Sequence, residues 1–274
     1  MNYRALCTDI DGTLLDSRRE LSERTIKAIR NLDKQTPVIL ASSRMPSAMR
    51  HLQQELNILH HPLICFNGGY VLSFESGSIT PAVINTIQIP ATLCLAIVAL
   101  AHGTSIHVSL YANDDWHAPQ MDQWTEKEQR VTKVSAQVTE LHPILDNWQM
   151  AGTGAHKVMC MGPEEEIFEM ATKLEAQFAD QIHIYRSKST YLEIAPKAIS
   201  KATALELVLR HQFNIDISEV VAFGDNYNDI DMLRAAGLGI AVGNAREEVK
   251  AVADEITLNS IEDGVAVAIE KYFL

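Results

Sequence analysis

The feature that most constrains this chain is a set of short apolar runs, each stopped by a polar cluster. Ala5-Leu6-Cys7-Thr8 ends at Asp9-Ile10-Asp11-Gly12-Thr13, and Val38-Ile39-Leu40-Ala41 ends at Ser42-Ser43-Arg44. Leu63-Ile64-Cys65-Phe66 ends at Asn67-Gly68-Gly69, and Val220-Val221-Ala222-Phe223 at Gly224-Asp225. None of these runs alternates apolar with polar residues, so neither face of the strand is expected to meet water. Stretches of helical period separate them. Ser22 is a plausible N-cap ahead of Ile26, Ile29 and Leu32, and Leu205, Val208, Leu209 and Phe213 form a second stripe. Leu238 to Val242 and the weaker Glu255-Ile256-Thr257 extend the series. Such strands alternating with helices predict a parallel sheet covered on both faces, a doubly wound (Rossmann-like) α/β fold. Ligands of these sheets sit at the carboxyl ends of the strands, so the polar clusters could share one crevice.

The middle of the chain differs in texture. Alternating segments (Ile106 to Tyr111, Lys157 to Met161, Ile182 to Tyr185) mix there with longer helices. Pro163 and three glutamates open one of these helices, with Ile167, Ala171, Leu174 and Phe178 as its buried stripe. The pattern predicts a smaller α+β domain inserted into the sheet domain. The division is core over 1–83, insert over 84–187 and core again over 188–274. The tryptophans at 116, 124 and 148 and the run Met159-Cys160-Met161 read as insert core.

Charge and cysteine usage narrow the class of partner. A formal net charge of −12 repels nucleic acid and anionic membrane surfaces. The apolar stretch Ile89 to Ala101 contains Pro90 and falls short of the roughly 20 residues a bilayer span needs. Four cysteines, at 7, 65, 94 and 160, show no paired spacing and read as reduced buried thiols. Met1 to Arg4 leads straight into the first strand without a signal-peptide pattern. The expectation is a soluble cytoplasmic protein that meets neither membrane nor nucleic acid and takes a small-molecule ligand.

Asp9 and Asp11 put two carboxylates at one strand end, where the turn at Gly12 lets them flank one reacting centre. Close acids repel unless a cation or a proton sits between them. A second acidic cluster, Asp225-Asn226-Tyr227-Asn228-Asp229, ends another strand. Converging carboxylates with carbonyl and water ligands make a hard-oxygen site suited to Mg2+.

These motifs in this order resemble the haloacid dehalogenase superfamily phosphatases, in their Cof-type (class IIB) branch. The resemblance rests on Asp9-Ile10-Asp11-Gly12-Thr13-Leu14-Leu15, Ala41-Ser42-Ser43-Arg44 and Asn67-Gly68-Gly69. It continues through Ile199-Ser200-Lys201, Gly224 to Asp229 and Ile240-Ala241-Val242-Gly243-Asn244-Ala245, nearly the whole chain. It implies Mg2+-dependent hydrolysis of small phosphomonoesters, such as sugar phosphates, through an aspartyl-phosphate. Asp9 would be the nucleophile, Asp11 the acid and base, and Lys201 the counter-charge in the transition state. Ser42, the Ser43 backbone and Asn228 would bind phosphate oxygens, with Ile10, Asn67 and Gly68 in the same phosphate site and Arg44 on the substrate side. Mg2+ would be held by the Asp9 carboxylate, the Asp11 main-chain oxygen and Asp225, with Asp229 in support. Where the family usually has Thr-Gly-Arg this chain has Ser42-Ser43-Arg44, which keeps the hydroxyl; Ala198-Ile199-Ser200-Lys201-Ala202 keeps the lysine.

A hexose-phosphate mutase of the same class is the alternative enzyme. Capturing a second phosphate favours arginines on the insert, and residues 84–187 carry only Arg130 and Arg186 among five Asp and eight Glu. A sugar-phosphate-binding regulator without turnover is the alternative from another class, and the intact acids Asp9 and Asp11 oppose it.

Overall fold

The computed structural model describes residues 3–74 and 80–274 and resolves into two compact units. In chain order the first unit begins with β1 (Ala5–Thr8), α1 (Glu23–Arg30), β2 (Val38–Ala41) and α2 (Ser47–Leu56). It continues with β3 (Leu63–Cys65), β4 (Tyr70–Phe74) and β5 (Pro81–Thr86). The insert contributes β6 (Ile89–Pro90), α3 (Ala91–Ala101), β7 (His107–Ala112), β8 (Asp115–Ala118) and α4 (Gln123–Thr132). Then come β9 (Gln137–Val138), α5 (Leu141–Ala151), β10 (Gly154–Ala155), β11 (Lys157–Met161), α6 (Glu164–Phe178), β12 (Ile182–Lys188) and β13 (Tyr191–Pro196). The first unit resumes with α7 (Lys201–Val208), β14 (Val220–Gly224), α8 (Ile230–Ala235) and β15 (Leu238–Ala241). It closes with α9 (Glu247–Lys250), β16 (Glu255–Ile256) and α10 (Gly264–Tyr272).

The first unit is built on one sheet in the order β16-β15-β14-β1-β2-β3-β4-β5. From β16 to β3 every pairing is parallel. Each residue of β1, β2, β3 and β14 is buried, as strands covered on both faces require. The doubly wound expectation holds for these strands and stops at β4, which pairs antiparallel with β3. Its cause is the tight turn at 66–69: a connection that short can only bring the chain back antiparallel. β1 lies between β14 and β2, the place where strand order reverses and ligands gather. Ser22 caps α1 by accepting from Thr25 N–H at 3.0 Å. His61, next to the loop residue His60, accepts from Val38 N–H through Nδ1 at 2.8 Å.

The insert is a mixed α+β unit whose sheet runs β12-β13-β11-β7-β8-β9, antiparallel except between β8 and β9. Val108, Leu110, Val158, Cys160, Leu192 and Ile194 point from it into a core shared with α3, α5 and α6. Trp116 is buried and stacks on Tyr111 at 5.6 Å, and Trp148 packs against the same core. Met159-Cys160-Met161 is a buried strand segment. This unit runs to Ile199 rather than ending at 187, because β13 pairs with β11 in register from Tyr191 to Ile194. Among the described residues no helix is long and apolar enough to cross a membrane.

Candidate active site

Asp9 leaves β1 with its N–H still bonded to Phe223 O at 3.0 Å, which holds the two strand ends side by side. The chain then makes one wide turn over Ile10–Leu14, closed by Leu15 N–H to Ile10 O at 3.1 Å. Gly12 sits in that turn at φ +88°, where a side chain is strained. A Cβ there would also lie 2.5 Å from Asp225 Oδ2, so the glycine is what lets the two acidic loops meet. Thr13 Oγ1 donates to Asp225 Oδ1 at 3.0 Å, and Asn244 Nδ2 donates to Gly12 O at 2.7 Å.

At the end of β14, Asp229 turns back under its own loop. Its Oδ2 accepts from the N–H groups of Asp225 and Asn226, each at 3.0 Å. Its Oδ1 accepts from Lys201 Nζ at 2.6 Å, and the same ammonium donates to Asp9 Oδ1 at 2.6 Å. Lys201 opens α7 behind its N-cap Ser200, and the side chains of Lys201 and Asp229 are fully buried. Burial alone would lower the lysine pKa, but Asp229 and Asp9 reverse that and hold it up, so the ammonium stays charged. The Asp9 carboxyl is pushed well up by burial and by the charges of Asp229 and Asp225, against the pull of Lys201.

One oxygen each of Asp9, Asp225 and Asp229 lies within 4.8 Å of the others. Three converging carboxylates against one ammonium leave negative charge uncompensated, which is the donor chemistry a hard divalent cation fits. Asp225 registers the imbalance: burial, and then the charge of Asp229, lifts its carboxyl to about 6. A carboxyl that binds its proton more tightly when folded contributes stability below its unfolded pKa near 4 and loses it as pH rises through about 6. Asp225→Asn does not titrate, so in metal-free buffer its stability advantage over wild type should grow between about pH 4 and about pH 7. The expected gain is on the order of 2 kcal/mol, read by urea unfolding in chelator. A difference that stays constant across that range contradicts the assignment.

The opposite wall comes from β2 and β3. Ser42 N–H bonds Ile64 O at 2.9 Å, Asn67 N–H bonds Ser42 O at 2.8 Å, and Phe66 N–H bonds Arg44 O at 3.1 Å. These bonds fasten loop 42–44 to loop 66–68. Gly68 adopts φ +103°, and a Cβ there would lie 2.6 Å from Ser200 O, so this turn sits against the start of α7. Asn228 Nδ2 donates to Asn67 Oδ1 at 2.9 Å. Asn67, Gly68 and Asn228 thus join the Lys201 side of the site. Ser42 is buried beneath the loop and its Oγ accepts from Arg44 N–H at 3.3 Å, while Ser43 is partly exposed. The Ile10 side chain is fully buried, which leaves its main chain as the part facing the turn.

Arg44 is where the geometry adds most to the sequence. Its guanidinium forms a fork on Asp11, with Nε to Oδ2 at 2.7 Å and Nη2 to Oδ1 at 2.8 Å. Arg19, which the sequence reading did not single out, brings Nη1 to Asp11 Oδ1 at 3.3 Å. Burial acts to raise the Asp11 carboxyl, but the hydrogen bond and charge of Arg44, helped by Arg19, hold it below the usual carboxylate range. Arg18-Arg19 looks in the sequence like a solvated basic pair, and only the turn geometry aims the second arginine at the site.

Residues 6–269 match the sequence profile of the haloacid dehalogenase-like hydrolases. A Haemophilus influenzae protein that carries the provisional name of phosphatase is 34% identical over 276 residues, covering 100% of this chain and 99% of its own. A Yersinia pseudotuberculosis HMP-PP phosphatase is 26% identical over 90% of this chain and 86% of its own. The crystal structure of a haloacid dehalogenase-like hydrolase from Bacteroides thetaiotaomicron superposes with a TM-score of 0.86 at 29% identity, covering 99% and 100% of the two chains. A subclass IIB sugar phosphatase of the superfamily superposes at 0.78 with 25% identity over 98% of each chain. This chain belongs to the haloacid dehalogenase-like hydrolase family, as one of its phosphatases.

Proposed function

We propose that the protein hydrolyses small phosphomonoesters, sugar phosphates foremost, in two steps through a phosphoryl group carried on Asp9. The observation that carries this reading is the Asp9 carboxylate at the exit of β1, with one oxygen on the buried Lys201 ammonium at 2.6 Å. A carboxylate approaching a phosphate dianion is repelled by about 4 kcal/mol per pair of unit charges at about 4 Å and an effective dielectric near 20. Lys201 offsets part of that from a fixed, buried position. The converging carboxylates of Asp9, Asp225 and Asp229 fit Mg2+, with the Asp11 main-chain oxygen as the further donor the family resemblance implies, and the ion when bound would supply further positive charge to the phosphoryl oxygens.

In the first step an Asp9 oxygen attacks phosphorus, the ester P–O bond breaks, and the leaving alkoxide takes a proton from Asp11. In the second step Asp11 takes a proton from water, the water oxygen attacks phosphorus, and the bond to Asp9 breaks to release phosphate. Loops 42–44 and 66–68, with Asn228, line the side on which phosphate oxygens would rest. In the arrangement described Asp11 is the acceptor in the Arg44 fork, the form the second step needs. The first step needs it protonated and released from that fork.

Two experiments test the reading. Chelation of divalent cations is expected to stop phosphate release, and full activity in excess chelator contradicts it. Asp11→Asn separates the steps. A sugar alkoxide is a strong base and should lose most of the roughly 10²–10⁴-fold that general acid catalysis supplies. p-Nitrophenolate leaves without help, so this variant should release close to one equivalent of nitrophenol in a burst and then stall. Equal slowing of both substrates without a burst contradicts the division of labour between Asp9 and Asp11.

A further inference from the structure

We propose that Arg19 is a positioning residue for the second step: with Arg44 it clamps the Asp11 carboxylate in the arrangement that accepts a proton from water. This rests on the reading of Asp11 as the acid–base group.

An ionised carboxylate offers about four acceptor positions. Arg44 takes one on each oxygen, and Arg19 Nη1 approaches Oδ1 at 3.3 Å. Oδ2, whose one contact among the described residues is the Arg44 Nε, keeps an acceptor position to which a water can give up its proton. With the fork across both oxygens and the Arg19 cation paired beside Oδ1, charge attraction opposes rotation of the carboxylate and favours one direction for its remaining acceptor position. The Arg44 fork alone is a hinge with one edge. Arg19 adds an ion-pair attraction on the Oδ1 side of that hinge.

The backbone supports the assignment independently. Arg19 has φ +62°, a conformation costly to any residue with a Cβ, where glycine or asparagine is the ordinary choice. The turn around it is closed on itself. Asp16 N–H bonds Glu20 O and Arg19 N–H bonds Asp16 O, each at 3.0 Å. Asp16 Oδ1 accepts from Arg18 N–H at 2.8 Å and Glu20 N–H at 3.0 Å. The tight left-handed turn sets the Cα–Cβ direction of Arg19, and from there its guanidinium reaches Asp11. The neighbouring Arg18 is spent on Asp16 at 3.3 Å and Glu20 at 3.7 Å.

Arg19→Gly tests this because it removes the guanidinium while suiting the backbone. Rapid acid quench with p-nitrophenyl phosphate and Mg2+ gives the rate at which the phosphoenzyme decays; steady-state assays add kcat and kcat/KM for the same ester and for a sugar phosphate. The expected result is phosphoenzyme decay slowed about two- to fivefold, the range an exposed ion pair supplies. kcat/KM, which reports the first step, should not fall for either substrate, because that step needs Asp11 protonated and released, and Tm should not fall. Arg19→Lys should recover much of the decay rate, and added salt should bring wild type toward the glycine variant. Wild-type decay in Arg19→Gly overturns the proposal, as does a parallel fall of Tm, kcat and kcat/KM. Failure of the function reading looks different: wild type would then release no phosphate, or would carry no phosphoryl group on Asp9.

Discussion

Asp9→Asn is expected to lower kcat by about 10⁴-fold or more on every substrate while leaving the fold as stable as wild type or more so. The amide oxygen can still accept from Lys201, so the buried ammonium keeps two partners. A neutral amide is a poor nucleophile, and no phosphoryl group can be transferred to it. Stability should move the other way because burial and the charges of Asp229 and Asp225 already push the Asp9 carboxyl well up. Removing its charge relieves that repulsion in the metal-free protein. Phosphate release at saturating substrate and urea unfolding in chelator measure the two effects. Turnover within tenfold of wild type contradicts the nucleophile assignment; a large loss of stability contradicts the electrostatic one.

Lys201→Met is expected to cost about 3–5 kcal/mol of stability as well as activity. The lysine, Asp229 and Asp9 side chains are 0%, 0% and 8% exposed, so removing the ammonium strands two carboxylates away from water. The methionine fills nearly the same space, which makes charge the property that changes. Adding Asp229→Asn should recover part of the loss, since it removes one stranded charge while its amide oxygen can still accept the N–H of Asp225 or Asn226. Urea unfolding of the single and double variants measures this. Additive losses in the double variant contradict the account.

The parallel core was legible because β1, β2, β3 and β14 carry no polar residue but Thr8, a pattern that burial on both faces explains. Asp9, Asp11, Asp225 and Asp229 were legible as acids at strand ends, and the family resemblance supplied the roles expected of them. What escaped was set by contacts between residues far apart in sequence. The antiparallel return at β4 depends on Phe66 and Asn67 at φ +50° and +57°; asparagine commonly takes such a value, but phenylalanine gives no sign of it. The end of the insert at Ile199 depends on β13 finding β11. Arg44 stands where the resemblance expects a substrate-side residue, yet its partner Asp11 lies 33 residues away in the chain. Arg19 reaches the same carboxylate only through a left-handed turn.

The most direct test of the account is to look for the phosphoryl group itself. Asp11→Asn, mixed with p-nitrophenyl phosphate and Mg2+ and quenched in acid during the stalled phase, should yield a peptide containing Asp9 heavier by one phosphoryl group. The modification should be absent from Asp9→Asn treated in the same way. A burst of nitrophenol with no phosphoryl group on that peptide, or with the group on another residue, would contradict the two-step reaction at Asp9.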